Sequence, residues 1–304
     1  MNILVTGISG YVGSQLAPRL LAAGHDVRGL SRRPASTLGG VPVVEGDVVS
    51  GAGLKAALDG VDVAYYLIHS MEPSTDGAFN VRERRAAENF ARAAGTAGVG
   101  RIVYLGGLIP PDGPGSAHLA SRLAVEEILL GSGPCTVALR ASIVIGAGSR
   151  SFRFLVRLVE RLPVLAVPAW RTNRTNPIDE RDVVEMLARA ADADSVCGMS
   201  LDVGGPDIVT YGELIERIRD HMLVARPTLN FKRLRLTPIA SRISALIAGE
   251  QYELIGPLME SLEGDLLVAD SRATELLGVR LHSLDSAIEH ALREWEATES
   301  LAAR

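Results

Sequence analysis

Short apolar runs alternate with helix-period segments through the first two-thirds of the chain. Asn2–Thr6 (NILVT) reads as a buried strand and Tyr11–Ala23 as the helix behind it. His25–Leu30, Val41–Glu45 and Val61–Ile68 read as the next strands, with a short helix over Leu54–Leu58. Glu83–Ala97 has helical spacing, Arg101–Leu105 is a fifth strand, His118–Leu130 a helix and Thr136–Ile143 a sixth strand. Strands that alternate with helices through short loops predict a parallel sheet covered on both faces. Runs as uniformly apolar as ILV and RIVYL fit strands buried on both sides.

The pattern changes after Gly148. Ser151–Leu162 is an arginine-rich amphipathic helix that runs into Pro163–Trp170. Helices are expected over Asp182–Ala191, Tyr211–Val224, Pro238–Ile247 and Ala287–Ala297, and a strand over Ser200–Val203. The fold class expected is α/β, a doubly wound parallel sheet with a small, mostly helical C-terminal substrate lobe. Residues 1–147 plus 176–205 would form the dinucleotide-binding domain, and 148–175 plus 206–304 the lobe.

The first strand ends in Thr6-Gly7-Ile8-Ser9-Gly10-Tyr11-Val12-Gly13, with glycines three apart, and this turn opens the first helix. A tight turn and a close backbone approach to a pyrophosphate both require residues without a Cβ. The amides and dipole at the helix N-terminus then favour the anion. Strand before, helix after and the start of a βαβ unit make the triplet specific. Ser31-Arg32-Arg33 ends the second strand, where a cofactor lacking a 2′-phosphate would usually meet an acid. Guanidinium groups pair with phosphate, so Arg32 and Arg33 point to NADP(H). Gly46-Asp47-Val48 follows the third strand; Asp47 either accepts from the adenine amino group beside Val48 or caps the next helix.

These segments, together with AYYLIHSM (64–71), RIVYLGGL (101–108), HLASRLAVE (118–126), LRASIVIGAGS (139–149) and NPIDERDV (176–183), resemble the atypical, NmrA-like branch of the short-chain dehydrogenase/reductase superfamily. YYLIHSM and YLGGL, in this order, are similar to one bacterial subgroup. The resemblance implies a Rossmann domain with the nicotinamide at the carboxyl ends of strands four to six. It places Leu67, Ile68 and His69 beside the ribose and nicotinamide, and Ser142 and Ile143 near the carboxamide. It also implies that Gly106 and Gly107 occupy the place of the catalytic serine, His118 that of the tyrosine, and Arg122 that of the lysine.

The Ser/Tyr/Lys set is therefore replaced. Arginine stays protonated and cannot act as a titrating base, but it can hold ribose or an oxyanion. Imidazole titrates near neutrality, so His118 is a candidate acid, with His69 and Ser70 as a second one. Asp179 and Asp182 read as a helix cap or as partners of an arginine. Tyr65 and Tyr66 sit inside a strand, one expected in the core and the other against a helix. The segment FRFLVRLVERLPVLAVPAW (152–170) reads as pocket wall and lobe packing ahead of a dimer face or a membrane surface.

Composition narrows the partners. With 31 basic and 36 acidic residues the net charge is -5, which argues against a phosphate-backbone footprint and hence against a nucleic-acid partner. Cys135 and Cys197 are expected to be inert buried thiols. No His/Asp/Glu cluster has metal-ligand spacing along the sequence, and no GxSxG elbow occurs. No signal peptide or transmembrane run is visible, so a cytoplasmic monomer or homodimer is expected. The leading function is an NADP-dependent oxidoreductase acting on an apolar carbonyl, enone or quinone-like molecule. The alternative is a non-catalytic NADP(H)-binding sensor or assembly protein. A nucleotide-sugar epimerase or dehydratase ranks third, because that chemistry also wants the tyrosine and lysine.

Overall fold

A computed structural model describes residues 1–33, 37–68, 79–161, 165–167, 169–224, 228–230, 264–299 and 301. The chain begins with β1 (Asn2–Thr6), α1 (Tyr11–Ala22), β2 (Asp26–Ser31), β3 (Thr37–Leu38), β4 (Val41–Glu45), α2 (Leu54–Leu58) and β5 (Val63–Tyr66). It continues with α3 (Phe79–Ala97), β6 (Arg101–Gly107), α4 (Ala117–Leu130), β7 (Cys135–Ala141), β8 (Val144–Ile145), α5 (Arg150–Arg161) and β9 (Leu165–Val167). Then come β10 (Arg174–Thr175), β11 (Ile178–Asp179), α6 (Glu180–Arg189), β12 (Ser200–Val203), β13 (Val209–Thr210), α7 (Tyr211–His221) and β14 (Thr228–Asn230). The helices α8 (Arg272–Leu277) and α9 (Leu284–Thr298) follow. The expected helix over Pro238–Ile247 lies outside the described residues.

One sheet of eight strands has the order β12-β7-β6-β5-β1-β2-β4-β3, parallel throughout except for the short β3. From β1 the chain builds outward through β2 and β4. It then returns across β1 to start the other half at β5, so the order reverses between β1 and β5. The sequence explains why both faces are buried. Along β1, Ile3 and Val5 pack with Leu16 and Leu20 of α1 and Leu187 of α6, while Leu4 faces Phe90 of α3 and Leu129 of α4. Tyr65 and Tyr66 split the same way. Both are in the core, on opposite faces, with Tyr65 donating to the Leu187 carbonyl at 2.9 Å and Tyr66 edge-on to Phe90 at 5.0 Å. β5 is shorter than its apolar run and stops at Tyr66; the next amide, of Leu67, donates at 3.2 Å to the Thr6 hydroxyl.

A separate core joins α5, α7 and α9. Phe152, Val156 and Val159 pack there with Leu214, Ile218, Ile288 and Trp295. The arginines of α5 lie over the Trp295 ring, Arg153 at 4.2 Å and Arg157 at 4.9 Å. Arg157 also pairs with Glu160 and Glu299. The arginine/apolar spacing of α5 is thus absorbed in lobe packing. Among the described residues no helix is long and apolar enough to cross a membrane.

Two expectations need correction. Cys135 and Cys197 are joined in a disulfide, with Cα atoms 5.3 Å apart, and Cys197 is exposed. Backbone bonds from Gly198 to the Thr136 carbonyl and from Ala138 to the Met199 carbonyl lay the two cysteine segments side by side, a pairing that the sequence separation of 62 conceals. Asp179 does cap α6 and pairs with Arg181, but the partner of Asp182 is a histidine. His282 offers its backbone amide at 2.8 Å and Nδ1 at 2.6 Å.

Glu126 of α4 is buried and accepts two-pronged hydrogen bonds from Arg140 of β7, with Ser200 of β12 donating to the same carboxylate. Removing the cation leaves a buried charge unpaired. Arg140→Met should lower the unfolding free energy by about 3–5 kcal/mol in urea titration, and adding Glu126→Leu should recover more than half of that loss.

Candidate functional site

The turn between β1 and α1 lies at the point of strand reversal, where α/β sheets open a crevice for ligands. Gly7 has φ +69°, and a Cβ there would come within 2.8 Å of the Leu67 carbonyl oxygen, the end of β5. The Gly10 amide donates to the Gly7 carbonyl at 2.8 Å, closing the turn. A Cβ on Gly13 would run into that same carbonyl, so α1 can sit tight against the turn only with glycine there. Gly10 caps α1 without a side-chain bond, and the first turn carries no acid. Ser9 and Gly10 are exposed. The end of the helix therefore presents backbone amides and positive dipole to solvent, the physical requirement for a diphosphate.

Thr6 acts behind this surface. It is fully buried, donates to the Tyr65 carbonyl at 2.8 Å and accepts from Leu67, so it locks β1 to β5 under the turn. Val12 is half-buried and packs against the core on that side of the sheet. Tyr11 points away from the turn and donates its hydroxyl proton to Glu180. Its ring fills the space beside Gly146 and Gly148, where a Cβ would overlap it.

On the adjacent strand, Arg32 and Arg33 follow β2 and are exposed. Asp47 is half-buried and accepts from the Val49 amide at 3.0 Å. That bond makes a local turn, and the N-cap of α2 is Gly53, so the helix-cap alternative for Asp47 is corrected. Val48 is buried in the core, and its carbonyl accepts from Asn89 at 3.1 Å.

Across the crevice, Leu67 and Ile68 follow β5, both half-buried. His69 and Ser70 lie outside the described residues. Gly106 and Gly107 end β6. A Cβ at Gly107 would meet Leu119 at an ordinary 3.5 Å, while one at Gly106 would press the Tyr104 ring at 3.0 Å. His118 sits in the first turn of α4, half-buried, its ring stacked 6.3 Å from Phe79. Arg122, one turn further, is buried. Its guanidinium lies 5.1 Å from the Tyr104 ring centre and donates to the Leu105 carbonyl. A fixed positive charge is thus held beneath the end of β6. Ser142 and Ile143 follow β7; Ser142 shares a hydrogen bond with Thr175 at 2.9 Å, and Ile143 packs against the lobe core.

Tyr65, Tyr66 and Tyr104 are not ready proton donors. Burial pushes Tyr104 up to about 12 and raises Tyr65 and Tyr66 further. His118 is the histidine that the described residues place on this rim. Sequence reasoning missed Glu83, which is buried on α3 and accepts from Ser121 at 2.6 Å behind Arg122. A carboxylate in helical register with Ala86, Ala87 and Phe90 on the apolar stripe of α3 was the available signal. It also missed the floor under Tyr11. There Glu180 is pushed up to about 8, first by burial and then by its hydrogen bond with Glu294.

Comparison with known proteins agrees with this geometry. Residues 7–131 match the family model described as NAD(P)H-binding. An uncharacterised protein of Mycobacterium tuberculosis is 28% identical over 267 residues, 86% of this chain but 27% of that protein, so the chain spans about a quarter of that relative's length. A (4-alkanoyl-5-oxo-2,5-dihydrofuran-3-yl)methyl phosphate reductase of Streptomyces griseus is 29% identical over 76% of this chain and 77% of its own. UDP-glucuronic acid 4-epimerase from Bacillus cereus, solved with UDP-glucuronic acid and NAD, superposes with a TM-score of 0.73 at 16% identity over 98% of this chain and 100% of its own. Residues 7–131 are thus similar to an NAD(P)H-binding family, and the chain shares the Rossmann-type fold of these solved structures.

Proposed function

We propose that the protein is an NADP(H)-dependent oxidoreductase acting on an apolar carbonyl, enone or quinone-like small molecule. The observation that carries this reading is the glycine turn at the strand reversal, with Arg32 and Arg33 exposed at the end of the neighbouring β2. In this reading the amides of Ile8–Gly13 hold the diphosphate, the two arginines favour the 2′-phosphate, and Asp47 borders the adenine. Leu67, Ile68, Ser142 and Ile143 would flank the nicotinamide half. Residues 1–147 plus 176–205 would hold the cofactor, and the rest of the chain would enclose the substrate. When bound, the nicotinamide supplies or accepts the hydride.

The chain's own share is orientation, charge and a proton. Arg122, fixed below the end of β6, would stabilise negative charge developing on the substrate oxygen. His118, at the mouth of α4, would hand a proton to that oxygen. A conjugated acceptor needs less help from a dedicated acid, because its transition-state charge is spread over the π-system. The Streptomyces relative, named for an acyl-substituted unsaturated lactone that carries a phosphate, supports a conjugated acceptor rather than an apolar one. A second reading, a non-catalytic NADP(H) sensor or assembly protein, is favoured by the glycines at 106 and 107, which leave no serine hydroxyl at the end of β6.

Ser9→Glu puts a carboxylate on the exposed turn without touching the core. It should weaken NADPH binding at least about tenfold in calorimetry, since each 1.4 kcal/mol of repulsion is a factor of ten. Arg32→Ala with Arg33→Ala should weaken NADPH by a similar factor and leave NADH unchanged; equal losses for both would remove the basis for the phosphate preference. For catalysis, NADPH oxidation is followed with a panel of quinones, enones and aldehydes. His118→Ala should cut kcat by about 10²-fold or more on simple carbonyls, and less on quinones. Tight NADPH binding without turnover on any acceptor would favour the sensor.

A further inference from the structure

Beneath Tyr11, side chains from two elements converge on one point. Glu180 opens α6 and is 5% exposed. His290 and Glu294 stand one turn apart on α9 and so project from the same helix face. One ligand atom from each of the three lies within 4.8 Å of the others. His290 Nε2 is 3.6 Å from Glu180 Oε1 and 3.5 Å from Glu294 Oε1. A tetrahedral ion with bonds of about 2.0–2.1 Å sets its donors roughly 3.4 Å apart, close to these edges.

The surroundings favour a cation there. Two carboxyl groups, Glu180 and Glu294, meet at this point through a hydrogen bond that a bound ion would replace. The adjacent cation, Arg181, is turned onto Asp179 through bonds of 2.5–3.1 Å and onto Ser286 at 3.3 Å. Glu180 forms the closed floor, while the His290 and Glu294 side chains are 26% and 42% exposed, which leaves a path from solvent. One imidazole and two carboxylates suit zinc and similar transition ions, whereas calcium and magnesium prefer all-oxygen shells.

We propose that Glu180, His290 and Glu294 form a three-ligand site for a divalent transition metal of the zinc type, with the fourth position left to water. The ion would tie α6 to α9. Because Tyr11 donates to the same Glu180, it would also brace the dinucleotide turn from below. The site stands on its own geometry and does not depend on the redox reading.

The test uses the full chain after treatment with EDTA and buffer exchange. Calorimetry with zinc chloride should give one equivalent, and cobalt(II) should give the visible bands of a tetrahedral N/O site. His290→Ala and Glu294→Ala, both at partly exposed positions, should each weaken zinc more than about tenfold while the far-ultraviolet circular dichroism stays unchanged. His282→Ala, which removes a histidine paired with Asp182 outside the cluster, should keep the stoichiometry. Zinc binding that is absent from the wild-type chain, or that survives both His290→Ala and Glu294→Ala undiminished, overturns the proposal. NADPH affinity is measured separately, so loss of the metal site and loss of the cofactor reading are told apart.

Discussion

The structure depends on how closely β1 and β5 can approach at the place where the sheet changes direction. The Gly7 backbone rides over the Leu67 carbonyl, and Thr6 bonds both Tyr65 and Leu67 from inside. A single Cβ at either end of the turn would push α1 outward. The rest of the molecule keeps that geometry rigid, through the two faces of the sheet and through the Tyr11–Glu180 contact that anchors the start of α1 to α6.

On the far side of the crevice β6 ends in Gly106 and Gly107, His118 stands in the first turn of α4, and Arg122 is folded onto Tyr104 and the Leu105 carbonyl. Arg122 keeps the charge but cannot trade its proton. His118 stands at the opening of α4, stacked on Phe79.

Much of this was legible in the chain. β1, β4 and β12 have the ends that the sequence pattern predicts, although only β1 is buried along nearly its whole length. The glycine turn was legible because its spacing has a steric reason. Contacts between distant segments were not. The Cys135–Cys197 bridge and the Asp182–His282 pair each join segments far apart in sequence. The same holds for the meeting of Glu180 with His290 and Glu294; only the fold brings a residue of α6 beside a helix more than a hundred positions later. Glu83 was overlooked for a different reason, as one charged residue in an otherwise ordinary amphipathic helix.

The central claim, that the backbone at the start of α1 grips the diphosphate of the dinucleotide, is tested most directly by amide hydrogen exchange with and without saturating NADPH. The account predicts slowed exchange concentrated in Ile8–Gly13, with smaller changes at the ends of β2 and β5. Unchanged exchange in that turn, or protection confined to other parts of the chain, would contradict it.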